Sequence, residues 1–329
     1  MSSKSIKILC TLGPSSLNKK FLNFAKGKVS LLRLNISHIK INKLENIIKF
    51  LKKNTNIPLC IDTEGAQIRT KVKKKIKCKI GHFIKLHKEN KGSFNLYPEY
   101  IFSILKKGDL LHIGFDDLKT KVVKIKKDQI LLKVYSEGFL ENNKGVHLQN
   151  RRIKLDYLTE KDFRAIEIAK KHKIRNFALS FTNSSKDIRK FSLILKNENK
   201  IYKIETKKSV KDIHKLAKLG KIFLIDRGDL SKETTVEKIP LIQRKIFKNV
   251  KKFKNRKIYV ATNLLESMIY NKYPTRGEAN DIYNSLEMGA SGLVLAAETA
   301  IGKYPQEAII FLKKMIYSYL NEKRYIKHD

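Results

Sequence analysis

Lys203 and Glu205 stand two residues apart across an apolar Ile204, at the end of the β-branched run Lys200–Ile204. In an extended strand residues i and i+2 share a face, so the ammonium and the carboxylate point the same way. The same period puts Arg33, Asn35 and Ser37 on one side of Arg33-Leu34-Asn35-Ile36-Ser37. Further polar clusters close other apolar runs: Asp62-Thr63-Glu64-Gly65-Ala66-Gln67-Ile68-Arg69-Thr70, Arg227-Gly228-Asp229-Leu230, Ala261-Thr262-Asn263 and Ala296-Ala297-Glu298-Thr299. Taken singly, each has a plain structural explanation: Lys-x-Glu as a surface ion pair, Arg-Gly-Asp as a turn, Asp-Thr as a helix cap. Taken together, they offer carboxylates that can hold Mg²⁺ through hard oxygen atoms and cations that can neutralise a phosphoryl group in transit.

Such clusters act only if the chain brings them to one place. Strand candidates are Ile6–Leu12, Val29–Leu34, Pro58–Ile61, Asn176–Phe181, Lys200–Ile204, Lys221–Ile225, Lys257–Ala261 and Gly292–Leu295. Helical periodicity fills the intervals near 17–26, 42–53, 160–172, 186–197, 210–219, 236–252, 278–288 and 306–320. Three of these open with a capping-box spelling: Thr159 to Asp162, Ser209 to Asp212 and Thr275 to Glu278. About eight strand-then-helix units close a parallel (β/α)₈ barrel, an α/β fold whose active sites lie where strands run out into βα loops. An open doubly wound sheet is the alternative, but no glycine fingerprint opens it.

One stretch breaks the rhythm. From about Lys71 to Asn150 short alternating runs such as KIKCKIGHFIKLH, GDLLHIGF and TKVVKIKKDQILLKVYSEG are separated by Gly, Asn and Asp. This predicts a small inserted β domain over 71–150 after the third strand, with 1–70 and 151–320 forming a discontinuous catalytic barrel and 321–329 a short tail. The lysines Lys71, Lys73, Lys74, Lys75, Lys77 and Lys79 at its entrance read as guards of a solvated strand edge.

Composition sets the outer bounds. The chain has 329 residues, 42% of them hydrophobic, enough for a sizeable core and too many for wholesale disorder. No apolar run nears the roughly 18 residues of a membrane span, and the start MSSKSIKILCTLG lacks a secretory core and cleavage site. Cys10, Cys60 and Cys78 are odd in number and lack metal-ligand spacing, which predicts reduced thiols and a cytoplasmic location. The 71 Lys+Arg against 31 Asp+Glu give a net charge of +40. Such a surface attracts anions, nucleic acid included. The lysines recur along the whole chain beside many Ile and Asn, however, and no zinc-finger, RNP-like or heptad pattern accompanies them, which argues for compositional drift over a dedicated nucleic-acid face.

The motifs resemble, in order, those of the pyruvate kinase family: KILCTLGPSS, LLRLNISH, IDTEGAQIRT, NKGVHL, YKIET, IDRGDL, ATNLLESM, PTRGEANDI and LAAETAIGKYPQEA. The likeness covers about residues 5–315, with the interior of the inserted domain weakest. It implies phosphoryl transfer from phosphoenolpyruvate to ADP, giving pyruvate and ATP at the end of glycolysis. It also implies that Glu205 and Asp229 hold Mg²⁺, which requires their carboxylates to converge to within roughly 6 Å. Lys203 would then stabilise the phosphoryl group in flight and Arg33 would contact the phosphate. The N–H groups of Gly228 and Asp229 would receive the substrate carboxylate, and Thr262 would line the side where the enolate is protonated. Asn35, Ser37, Asp62 and Thr63 match the family's K⁺ site, with Asn35 also among the nucleotide-side residues. Arg69 and Lys144 match its nucleotide-phosphate contacts, with Lys144 on an insertion that closes as a lid.

The chain departs from the family's pattern at Glu64, Ala66 and Gln67, which stand for Lys, Pro and Glu, and at Asn183, Asn263, Ala296 and Ile301. The loss of an acid at Gln67 weakens the electrostatic case for K⁺. The other changes predict an active but slower enzyme. Two further readings compete: a phosphoenolpyruvate or pyruvate barrel doing lyase chemistry, which would need neither Arg69, Lys144 nor a lid, and an inactive remnant binding anions or nucleic acid. The chain ends where that family carries a C-terminal domain, which implies no activation by fructose bisphosphate; barrel-to-barrel association into a homo-oligomer needs no such domain.

Overall fold

The structure, a computed structural model, describes residues 6–88, 92–114, 118–151 and 153–325. Two compact units divide the chain. One runs to Gly65 and resumes at Glu160; the other is Ala66–Thr159.

The first unit is a closed parallel barrel of eight strands: Lys7–Thr11, Leu31–Asn35, Leu59–Asp62, Asn176–Leu179, Asn199–Ile204, Ile222–Asp226, Lys257–Ala261 and Gly292–Leu295. Most of these strand residues are buried, as strands covered by helices outside and by each other inside must be. Leu9, Leu31, Cys60, Ala178, Leu224 and Val294 belong to one apolar cluster. Two residues further along the same strands stand Thr11, Arg33, Asp62, Ser180 and Asp226, and Lys203 stands two beyond Ile201. The period of two therefore lifts a polar layer directly onto the apolar one.

Helices follow where their apolar period predicts them, with instructive shifts. In Ile41–Asn54 the buried residues Leu44, Ile48 and Leu51 recur every three to four positions. Thr275 and Glu278 form the expected capping box. The box read at Ser209–Asp212 lies one turn earlier: Thr206 caps the helix Lys207–Lys211 with Ser209 as its reciprocal partner. Asp212 then separates it from the helix Ile213–Leu219. Asp162 turns its carboxylate to the amides of Glu64 (2.7 Å) and Gly65 (3.0 Å). Arg227–Glu233, read as a turn, is a short helix that starts straight after the sixth strand. The last helix, Pro305–Tyr325, passes the predicted stop at Leu320 because Asn321 and Glu322 carry no breaker, and Glu322 accepts the Tyr283 hydroxyl. Residues 326–329 of the predicted tail lie outside the described residues, as do 1–5 and Phe115 of the GDLLHIGF run.

The inserted unit, Ala66–Thr159 against the expected 71–150, contains a seven-stranded antiparallel sheet in the order Phe83–His87, Gln129–Val134, Leu118–Ile125, Leu110–Ile113, Gly145–Leu148, Ile68–Val72 and Phe94–Tyr97. Asn95 donates its side-chain amide to the His87 carbonyl (3.0 Å), which brings the two edge strands together. Buried and half-buried residues alternate strictly along Gln129–Val134. Phe94, Leu96, Leu111, Ile113 and Leu132 fill this unit's own core. Ile76–Cys78 pairs with Gly138–Leu140 as a separate ribbon. The entrance lysines are partly engaged rather than merely solvated: Lys75 meets Glu141 at 2.5 Å and Lys71 meets Glu99 at 3.3 Å.

Gly65, the last residue before the insertion, has φ +68, and a Cβ there would lie 2.5 Å from the Ser180 carbonyl oxygen. Gly65→Ala therefore combines a left-handed backbone with overpacking and is expected to cost about 2 kcal/mol. Denaturant unfolding that finds wild-type stability would contradict it.

Candidate active site

Lys203 occupies the centre of the polar layer. It points inward from the fifth strand, 3% exposed, with Nζ 2.8 Å from Glu205 Oε1, 3.3 Å from Asp226 Oδ2 and 3.4 Å from Asp62 Oδ2. It also donates to the Ser180 hydroxyl (3.2 Å), which in turn donates to Asp62 Oδ1 (3.2 Å). From the second strand, between the first and the third, Arg33 donates Nε to Asp62 Oδ2 (2.7 Å), reaches the same oxygen through Nη2, and donates Nη1 to Thr11 (2.9 Å). Asp62 thus serves two cations and a hydroxyl with its two oxygens.

Next to this lies a group of three carboxylates. Glu205, Asp226 and Asp229 each offer an oxygen within 4.8 Å of the others, which meets the separation the sequence required of Glu205 and Asp229. Glu205 Oε2 accepts the N–H of Phe181, whereas Oε1 faces Lys203 with no aligned hydrogen-bond donor. Asp229 comes from the first turn of the short helix Arg227–Glu233 and pairs with Lys232 at 2.5 Å. Asp226, which the sequence reading passed over, ends the sixth strand on the same face as Leu224. The period-two rule that singled out Lys203 and Glu205 finds it equally well.

The charges set each other's ionisation. Burial pulls the Lys203 ammonium down, but Asp62, Glu205 and Asp226 together hold it above its ordinary value. Burial pushes Glu205 up to about 8, with Asp226 and Asp229 adding to the rise and Lys203 opposing it. Asp226 is held below the usual carboxylate range because Lys203 and Arg33 outweigh its burial. Three buried carboxylates (Asp62, Glu205, Asp226) face two buried cations (Arg33, Lys203). The excess is negative and lies on the Glu205 side.

The remaining predicted residues fall into distinct settings. Thr262 follows the seventh strand with φ +69, and its hydroxyl accepts the Gly228 N–H (2.8 Å) and donates toward Asp226 Oδ1 (3.2 Å). The Gly228 amide assigned to a substrate carboxylate thus has an internal acceptor. Asn35 accepts the Ser37 N–H (3.1 Å) at the end of the second strand, in register with Asp62 on the third. Thr63 accepts the Ser180 N–H (3.1 Å). Arg69 and Lys144 lie in the inserted unit, Arg69 on the strand Ile68–Val72 and Lys144 just before the strand Gly145–Leu148 that pairs with it. There Arg69 donates to the Asn143 carbonyl (3.2 Å) and Lys144 pairs with Glu141 (2.8 Å).

Three of the positions that depart from the motif have side-chain partners. Glu64 pairs with Lys161 (2.7 Å), Asn183 accepts the Thr206 hydroxyl (2.5 Å), and Asn263 donates to Glu266 (2.6 Å). Glu298 is structural: it takes the amides of Leu265 (3.1 Å) and Ala296 (2.7 Å).

Comparison with known proteins decides the family. Residues 3–309 match the pyruvate kinase barrel domain. The chain belongs to the pyruvate kinase family. It is 31% identical to the pyruvate kinase of Thermotoga maritima over 331 residues, covering 95% of this chain and 70% of that one. The pyruvate kinase of Methanocaldococcus jannaschii is 35% identical over 322 residues, with coverage of 95% and 69%. That of Buchnera aphidicola is 32% identical over 333 residues, with coverage of 94% and 68%. Pyruvate kinases generally use Mg²⁺ and K⁺. The donor set here suits a hard divalent ion: three carboxylates that converge to within 4.8 Å and an excess of negative charge. All three cysteines are free and buried, and among the described residues no helix is long and apolar enough to cross a membrane.

A carboxyl raised by folding binds more protons folded than unfolded, so its ionisation withdraws stability as pH climbs from about 4.5 to about 8. Glu205→Gln cannot ionise. In metal-free buffer its melting temperature relative to the wild type is expected to rise by a few degrees between pH 5 and pH 9. Parallel melting curves across that range would refute the assignment.

Proposed function

We propose that this chain transfers the phosphoryl group of phosphoenolpyruvate to ADP. The observation that carries the reading is the convergence of Lys203 with Glu205 and the carboxylates of Asp226 and Asp229 at the ends of the fifth and sixth barrel strands. An ammonium held charged in a buried pocket can meet a phosphoryl group in transit without solvent reorganisation, which makes its electrostatic contribution large.

The bond between phosphorus and the enol oxygen breaks as a β-phosphate oxygen of ADP bonds to phosphorus. The enolate left behind takes a proton at its terminal carbon and becomes pyruvate. Lys203 neutralises charge on the phosphoryl oxygens, and Arg33, fixed by Asp62 and Thr11, binds the phosphate. Glu205 and Asp229 are the residues that would hold Mg²⁺, which when bound supplies Lewis-acid polarisation and charge neutralisation. Amides at Gly228 and Asp229 receive the substrate carboxylate, the Gly228 N–H exchanging its Thr262 partner for it. Thr262 lines the face where the proton arrives. Arg69 and Lys144, both in the inserted unit, are the residues that would bind nucleotide phosphates.

Asn35, Ser37, Asp62 and Thr63 would form the K⁺ site. Both Asp62 oxygens already serve Arg33, Lys203 and Ser180, and Gln67 is neutral where the motif carries an acid, so K⁺ stimulation is expected to be slight.

A coupled assay for pyruvate tests the reading. Activity should require phosphoenolpyruvate, ADP and Mg²⁺ together and change little when Na⁺ replaces K⁺. Lys203→Met should lose activity by roughly a thousandfold while Mg²⁺ still binds. A wild type that forms no pyruvate, or a Lys203→Met variant that retains full rate, overturns the assignment.

A further inference from the structure

We infer that Asp226 is a positioning residue that ties Lys203 to Thr262 and so joins the phosphoryl-transfer side of the pocket to its proton-transfer side. The inference rests on the function proposed above. Asp226 is 4% exposed and divides its two oxygens: Oδ2 lies 3.3 Å from the Lys203 ammonium and Oδ1 lies 3.2 Å from the Thr262 hydroxyl. Asp62 and Glu205 also face Lys203, but among the described residues Asp226 is the carboxylate seen to reach both groups.

Thr262 needs such a hold. A β-branched residue at φ +69 sits in a sparsely populated backbone region and persists only where its surroundings fix it. Its carbonyl is clamped by Arg227, which donates Nε (3.0 Å) and Nη2 (2.6 Å) and pairs through Nη1 with Asp281 (2.6 Å). Its hydroxyl accepts from Gly228, so the lone pair used there is fixed, and its single proton is shared between Asp226 Oδ1 and the Ala261 carbonyl. Removing Asp226 leaves that proton on the backbone, turned from the pocket, and leaves Lys203 drawn towards Asp62 and Glu205 alone. Small displacements of this kind cost up to about a hundredfold in rate when the reacting geometry is tight.

The test separates the two sides. Turnover is followed as pyruvate formation. Proton transfer is followed alone, as solvent deuterium entering the pyruvate methyl group, by NMR with Mg²⁺ and ATP present. Asp226→Asn keeps an acceptor for Thr262 but withdraws the charge from Lys203; it should lower kcat about tenfold or more, leave KM for phosphoenolpyruvate nearly unchanged, and retain exchange. Asp226→Ala should lose exchange as well, by about as much as Thr262→Val, and the double variant should be no worse than either single one.

Exchange losses that multiply in the double variant overturn the link to Thr262. An Asn variant that loses exchange as the Ala variant does overturns it too. Titration with Mn²⁺ alone, read by electron paramagnetic resonance, should give the same affinity for wild type and Asp226→Asn; a tenfold loss would make Asp226 a metal ligand and overturn the positioning role. An inert wild type would take down the proposed function and this inference together, whereas an active wild type with multiplying losses would take down this inference alone.

Discussion

A lysine ammonium buried among three carboxylates is the constraint around which the barrel end is arranged. An isolated buried charge costs several kcal/mol, and burying a set of them is tolerable only where each finds opposite charge and hydrogen bonds. Lys203 meets Asp62, Glu205 and Asp226 at 2.8 to 3.4 Å, and Arg33 and Ser180 complete the coordination of Asp62. Removing any one of these leaves another exposed to the full desolvation penalty. They come from the second to sixth strands, so the network also joins distant parts of the chain across the top of the barrel.

The network does not balance, and the imbalance has a direction. Cation and carboxylate match around Asp62, where Arg33 and Lys203 converge, whereas Glu205 shares Lys203 with two other carboxylates, lies beside Asp226 and Asp229, and is the group pushed up to about 8. A pocket optimised for stability alone would add a second cation there. A pocket that keeps an acid next to two more carboxylates holds a repulsion that a bound cation would relieve, the usual sign of a site whose chemistry takes precedence over its folding energy. The surface carries the opposite sign, an excess of 40 positive charges over the chain, so phosphorylated anions are drawn toward the molecule from outside while the cation-seeking group lies inside.

Much of this was legible in the sequence because a parallel barrel converts position into direction. The eight strand candidates match the eight barrel strands to within about two residues at most ends, and the period of two aimed Arg33, Lys203 and Glu205 inward. Asp226 obeyed the same rule but was hidden, since Ile225-Asp226-Arg227-Gly228 reads as a strand running into a turn and the helix beginning at Arg227 carries two poor formers, Gly228 and Asp229, in its first turn. The positive φ of Thr262 could not have been foreseen, because β-branched residues disfavour that conformation and only Arg227, Asp226 and Gly228, distant in sequence, impose it. The buried acid Asp162 was read as part of a helix cap, although it caps the amides of Glu64 and Gly65 nearly a hundred residues away. Local patterns predicted elements well; long-range hydrogen bonds to backbone were beyond them.

That same distinction explains how the chain can depart from its family's motif around Glu64 without losing the pocket. Glu64 meets Lys161 on the helix that follows the insertion, while Asp162, one residue on, holds the two amides. The side chain that differs is therefore turned to a helix of its own unit, and the groups that fix the path of the third strand's exit are the backbone of Glu64 and Gly65 rather than their side chains. Asp62 and Thr63, just upstream, keep their bonds to Arg33, Ser180 and Lys203 whatever occupies position 64. A motif read as a string treats these neighbouring positions alike. The structure separates them by what each one holds: side chains at 62 and 63 hold the pocket, and the backbone at 64 and 65 holds the turn. Substitution is tolerable at 64 for that reason, and at 65 it is not.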